Sequence, residues 1–174
     1  MKKCFWIVVL LLFLTSCKHN EAVDSKTDMS QITTYYLIRH AEKDRTDPKN
    51  EDPNLNVDGL KRAQRWASYF EAFTIDQIYV TKYIRTKQTA SMVAQQKAVI
   101  PTLYDPHNIQ LDEFLKTTRG KNVLIVGHNN TIPKLVNALI TINKFGDMDD
   151  NDNATLYKVV IHGDDKKVET ITVE

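Results

Sequence analysis

Apolar positions in this chain follow two rhythms. Tyr35-Tyr36-Leu37-Ile38 and Val123-Leu124-Ile125-Val126 are unbroken runs, the pattern of strands covered on both faces of a sheet. Between and after them the period lengthens. Val57, Leu60, Ala63, Trp66, Ala67, Phe70 and Phe73 recur at helical spacing behind Asn56, which predicts a capped helix with an apolar stripe turned to the core. Gln77 to Thr81 predicts a short second strand. Thr81 is then expected to cap a helix from about Lys82 to Gln96, with Ile84, Ala90, Val93 and Ala94 facing inward. Ala98-Val99-Ile100 with Leu103 suggests a third strand, and Leu111 to Thr118 a short helix ending near Gly120. Pro133 suits the first turn of a last helix carrying Leu135, Val136, Leu139 and Ile140. Thr155 to Ile161 and Val168 to Val173, joined across Gly163 to Lys166, read as a hairpin. The order predicts an α/β fold: a three-layer sandwich whose mostly parallel sheet is flanked by helices, with a C-terminal hairpin.

The amino end follows neither rhythm. Lys2 and Lys3 precede Cys4 to Leu14, an apolar run of eleven residues. A membrane-crossing helix needs about 20, so the run suits the apolar region of a signal peptide. Leu14-Thr15-Ser16-Cys17 resembles the bacterial lipobox, which implies cleavage before Cys17 and lipidation of that residue. Lys18 to Gln31 is polar and aperiodic, the composition of a tether. The expected organisation is a signal peptide over 1–16, a tether over 17–31 and one domain over 32–174. The expected location is the bacterial cell envelope, on a periplasmic or outer-membrane face, with the membrane as partner through Cys17. Lipidation would use the only cysteine left after cleavage, so the domain would rely on its core and not on a disulfide.

Composition adds exclusions. The chain has 174 residues, 42% of them hydrophobic, enough for one core and too short for two ordinary domains. Its formal charge is +1, and nothing in it marks a nucleic-acid surface. Two loops are rich in charge. Lys43 to Asn56, with Pro48 and Pro53, reads as a solvated connection or, from its place after Arg39-His40, as the border of a pocket. Asp147 to Asn153 lacks the spaced pattern of a calcium loop and reads as solvated.

The candidate chemistry lies where strands end. A run that finishes in Arg39-His40 delivers a cation and an imidazole to the carboxyl edge of the sheet, where open α/β folds bind ligands. A second run ends in Gly127-His128, and Arg85 falls in the first turn of a helix between them. Each feature alone reads equally well as surface. Together, two guanidiniums and an imidazolium suit a phosphoryl group, which accepts paired hydrogen bonds and is drawn to helix amino ends. The other imidazole, if neutral, can attack phosphorus. The chain has no Gly-rich phosphate loop, no Gly-x-Ser-x-Gly elbow and no metal-ligand spacing.

These residues resemble a family. Leu37-Ile38-Arg39-His40-Ala41-Glu42 is similar to the Arg-His-Gly/Ala signature of the histidine phosphatase superfamily, also called phosphoglycerate-mutase-like. Leu55 to Leu60 with Gln64 resembles its Leu-Thr-x-x-Gly-x-x-Gln-Ala element, with Asn56 for Thr and Arg65 for Ala. Thr81 to Ala90 resembles its Ser-x-x-x-Arg-x-x-x-Thr-Ala element, and Val126-Gly127-His128 its second Gly-His. The resemblance implies that His40 forms a phosphohistidine while Arg39, Arg85 and His128 bind the phosphoryl oxygens, without metal or other cofactor. The implied activity is hydrolysis of a small phosphomonoester, with a phosphoryl-binding lipoprotein of impaired catalysis as the alternative. Some members use an Asp after the second histidine as general acid; here that place holds Asn129. Glu42, Asp105, Asp112 and Glu113 are the candidates that remain. In size the domain is closer to the compact bacterial phosphohistidine phosphatases than to phytases or acid phosphatases, which carry large helical insertions. A phosphohistidine protein as substrate sits poorly with export.

Overall fold

The computed structural model describes residues 31–174. The signal peptide, the lipidation site Cys17 and nearly all of the tether lie outside the described residues. Among the described residues no helix is long and apolar enough to cross a membrane.

In chain order the elements are β1 (Ile32–Arg39), α1 (Val57–Phe70), β2 (Gln77–Val80), α2 (Ile84–Lys97), β3 (Thr102–Leu103), α3 (Leu111–Thr118), β4 (Asn122–Gly127), α4 (Thr131–Ile140), β5 (Thr155–His162) and β6 (Asp165–Thr172). They form one six-stranded sheet in the order β3-β2-β4-β1-β5-β6. β1 to β4 run parallel; β5 lies antiparallel to both of its neighbours. Successive side chains of a strand point to opposite faces, and β1 divides its apolar run accordingly. Tyr36 and Ile38 pack with Trp66 and Phe70 of α1 and Val93 of α2. Tyr35 and Leu37 pack with Ile132, Val136 and Leu139 of α4, against which Phe114 of α3 also rests. The result is the three-layer α/β sandwich expected from the order of elements, with a two-residue hairpin turn at Gly163-Asp164.

Local assignments differ at four places. The buried face of α1 is Gly59, Ala63, Trp66 and Phe70. At about 100° per residue, Val57 falls opposite that face and Leu60 on its flank, and they are 68% and 46% exposed. Likewise Ile84 is exposed, at the first residue of α2. The third strand is shorter and later than expected. Ala98 takes a left-handed φ of 53° that closes α2, and Pro101 cannot donate to a ladder, so only Thr102 and Leu103 pair with β2. Finally, α2 is not capped by Thr81. Its cap residue is Tyr83, without a side-chain bond, and the Thr81 hydroxyl is engaged elsewhere.

Candidate active site

The register of β1 against β4 builds the site. Arg39 pairs with Gly127, and the His40 N–H donates to the Gly127 carbonyl at 2.9 Å. His40 and His128 therefore leave two adjacent parallel strands at the same edge, and their ring centroids stand 5.4 Å apart. A Cβ at Gly127 would lie 2.8 Å from both Ile132 Cδ1 and the Tyr104 hydroxyl, so those side chains would have to shift. The constraint at the motif glycine Gly59 is stricter: a Cβ there would collide with the backbone carbonyl of Glu42. Asn56, the cap of α1, accepts from Gly59 N and donates its own N–H to that carbonyl. In α2, Thr89 accepts the Ala41 N–H at 2.9 Å and donates to the Arg85 carbonyl. Helix α2 is thus tied directly to the residue after His40.

His40 is buried, and its Nδ1–H donates to the Ala41 carbonyl at 2.8 Å. That bond fixes the tautomer and leaves Nε2 with its lone pair free. Burial first, and then the charges of Arg39, Arg85 and His128, push its pKa down to about 3. His128 is held by Thr81 Oγ1 at 3.0 Å from Nε2 and lies edge-on to the Tyr83 ring. Burial, followed by Arg85 and Arg39, brings its pKa to about 4. Both imidazoles are therefore neutral at pH 7 as the site stands. Desolvation, with two guanidiniums close by, keeps the proton off each ring. A phosphoryl dianion between them would supply the opposite charge and return it.

The guanidiniums are held differently. Arg39 is 2% exposed; Nη1 donates to the Asp149 and Asp152 carbonyls at 2.8 and 3.3 Å, and Nη2 pairs with Asp150 Oδ1 at 2.6 Å. The Arg85 guanidinium lies 4.2 Å from the Tyr83 ring centroid, with long contacts from Nη1 to Glu51 O (3.3 Å) and Asp52 (3.5 Å). Arg39 Nε and Arg85 Nε are both buried and have no hydrogen-bond partner among the described residues. Buried donors seldom go unpaired. One on each guanidinium marks a place for an acceptor.

Both charged loops belong to the site. Lys43 to Asn56 is closed by a bridge between Lys43 and Leu55. Its Lys43, Asp44, Arg45 and Thr46 line a hollow of about 520 Å³ with Arg39, His40 and Glu42. Asp147 to Asn153 is not merely solvated. It wraps Arg39, sends Asn153 Nδ2 to the His40 carbonyl at 2.7 Å, and has Asp150 bridge Arg39 and Arg45. Asn153, Thr81 and Tyr83 are the residues that sequence reasoning missed. The density of Asn and Asp in the loop was the available signal for the first.

The four carboxylates proposed as acids separate. Glu42 lines the His40 hollow; Oε1 pairs with Arg62 at 2.7 Å and Oε2 is buried without a partner among the described residues. Asp105 rims a second hollow, beside His128. Glu113 lines a different depression, against Tyr79 and Phe114. Asp112 is exposed on α3 and lines none of these hollows.

Residues 35–107 match the model of the histidine phosphatase superfamily (branch 1), a stretch that includes Arg39, His40 and Arg85 and stops short of His128. Over that stretch, less than half of the chain, the sequence is similar to this superfamily, and the fold agrees with that likeness. Among solved structures it is similar to a mycobacterial glucosyl-3-phosphoglycerate phosphatase, at 12% identity and a TM-score of 0.67, over 83% of this chain and 100% of that one. It is also similar to a phosphoglycerate mutase from Bacillus anthracis, at 17% identity and 0.64, over 82% and 93%. A third is the protein histidine phosphatase SixA in complex with tungstate, at 13% identity and 0.61, over 80% and 96%. At such identities the likeness speaks for the fold. No curated protein matches the sequence.

Proposed function

We propose that the protein is a phosphatase that hydrolyses phosphomonoesters through a phosphohistidine on His40, needing neither metal nor cofactor. One observation carries the reading: a free, neutral His40 Nε2 shares a buried site with two guanidiniums that each keep an unpaired Nε–H. Neutral imidazole is the nucleophilic form. Arg39, Arg85 and His128 stabilise the charge on the equatorial oxygens during in-line transfer. Water then attacks phosphorus from the side the leaving group has vacated. The tungstate bound by SixA is a tetrahedral oxyanion, consistent with such a cradle on this fold. The sequence before the domain supports attachment to the cell envelope through a lipid on Cys17.

A second reading, a phosphoryl-binding lipoprotein with little turnover, draws on the carboxylates: Glu42 shares its charge with Arg62, and Asn129 stands where some relatives hold an acid. Phosphate release from phenyl phosphate in the presence of EDTA decides between them. The enzyme reading expects turnover that EDTA leaves unchanged and that His40→Ala abolishes. Tight phosphate binding without turnover would select the second.

A further inference from the structure

Arg85 stands where a helix resists a cation. It is the second residue of α2, whose amino end carries partial positive charge, and its side chain is only 11% exposed. The carboxylate nearest to it is already in use. Asp52 Oδ1 accepts the Ile84 N–H at 2.8 Å, and its contact with Arg85 Nη1 is a long 3.5 Å. What seats the guanidinium closely is the Tyr83 ring, whose centroid lies 4.2 Å from Arg85 Cζ. The same ring meets His128 edge-on, with centroids 5.2 Å apart and planes at 88°. One side chain thus touches two of the groups assigned to the phosphoryl oxygens.

An aromatic face suits this task better than a carboxylate would. It attracts a guanidinium within about 6 Å of the ring centroid, most strongly where water is excluded. It does so through the face of the cation, so the N–H donors in the guanidinium plane stay available. Arg85 Nε is indeed without a partner among the described residues. A carboxylate in the place of the ring would compete with the phosphoryl group for those donors and cancel the charge. The ring, not the hydroxyl, makes both contacts.

The backbone fixes Tyr83 in turn. It is the cap residue of α2, in extended conformation, and its carbonyl accepts the Thr86 hydroxyl at 2.8 Å. Thr86 is buried and meets Thr81 Oγ1 at 3.0 Å, the hydroxyl that also holds His128. Arg85 and His128 are therefore referred to one short segment, residues 81–86.

Resting on the phosphatase reading, we propose that Tyr83 is a positioning residue: its ring holds Arg85 in the site beside His128 without using the donors that bind the phosphoryl group. It acts through Arg85, and that sets it apart from a side chain that merely packs.

The test is a double-mutant cycle on the full chain, read as phenyl phosphate hydrolysis and as inorganic phosphate affinity by calorimetry. Tyr83→Leu keeps apolar bulk and removes the ring. It should lower kcat and phosphate affinity about tenfold each, the scale of a desolvated cation–ring contact, and Tyr83→Phe should restore both. In an Arg85→Ala background Tyr83→Leu should add less than about a twofold loss, since its partner is already gone. If Tyr83→Leu melts early, Tyr83→Met takes its place under the same criteria. Full losses that multiply across the cycle overturn the inference, as does Tyr83→Phe being as weak as Tyr83→Leu, or Tyr83→Leu matching the wild type. A wild type that binds phosphate and releases none from phenyl phosphate overturns the phosphatase reading alone, and the affinities still decide on Tyr83. Neither binding nor turnover overturns both.

Discussion

Arg39 and Arg85 read alike in the sequence as cations for one phosphoryl group, the first at a strand end and the second in a helix's first turn, yet the fold treats them in opposite ways. Arg39 is walled in, with two carbonyls on one nitrogen and the Asp150 carboxylate on another. Arg85 leans on an aromatic face and makes only long polar contacts. The first is fixed by the protein before any substrate arrives; the second has donors to spare. A cradle of this kind combines a preset charge with an adaptable one. Preset charge stabilises a transition state without reorganisation, and its cost is borne by folding.

That contrast predicts a divergence between activity and stability. Arg39→Ala and Arg85→Ala should each lower kcat by roughly 10²–10³, the scale of a lost oxyanion donor. Only Arg39→Ala should also unfold early, because it leaves two carbonyls and a carboxylate without their donor. The expected loss is about 2 kcal/mol, or a Tm lower by about 4–8 °C for a domain of this size. Arg85→Ala, which gives up the Tyr83 face and two long polar contacts, should cost about 1 kcal/mol or less. Thermal melts beside initial rates check this, and equal stability losses would erase the distinction.

Proton titration sharpens it further. Arg39 outranks Arg85 in depressing His40, and Arg85 outranks Arg39 in depressing His128. Followed by NMR, Arg39→Ala should raise chiefly the His40 pKa and Arg85→Ala chiefly that of His128. The same shifts govern stability against pH. An unfolded histidine takes up its proton near pH 6.5, whereas the folded site refuses it until about 3 at His40 and about 4 at His128. Stability is therefore full above pH 6.5 and falls as pH drops from there toward 4. The slope approaches about 1.4 kcal/mol per pH unit for each histidine. Removing His40 as His40→Ala should flatten that decline, and an unchanged slope would contradict the burial of a neutral ring.

The smallest effect belongs to Asp150, which is 58% exposed. Asp150→Asn keeps both carbonyl bonds to Arg39 and should cost less than about 1 kcal/mol, as exposed ion pairs do. A loss as large as that of Arg39→Ala would mean that the carboxylate, not the backbone, holds the guanidinium.

The parts of this site that could be read from the sequence are those whose pattern is local. The apolar runs ending in Arg39-His40 and Gly127-His128 placed both imidazoles at one sheet edge, because parallel neighbours finish together. Asn56 announced its cap by standing directly before the helical spacing that begins at Val57. Thr81 misled, since a hydroxyl ahead of a helix reads as a cap, and only the approach of His128, 47 residues later, draws it away. Val57 and Leu60 misled because a helical stripe gives a period without its absolute phase; the contact of Gly59 with the Glu42 backbone sets that phase. The wrapping of Arg39 by Asp149, Asp150 and Asp152 spans more than 100 residues, and no spacing rule reaches so far.

The central claim is that His40 carries the phosphoryl group. Incubating the full chain with phenyl [32P]phosphate, quenching in base and mapping the labelled peptide by mass spectrometry tests it directly. The account predicts an acid-labile label on residue 40, present in the wild type and missing from His40→Ala. Continued phosphate release with no label, or with the label on another side chain, would contradict it.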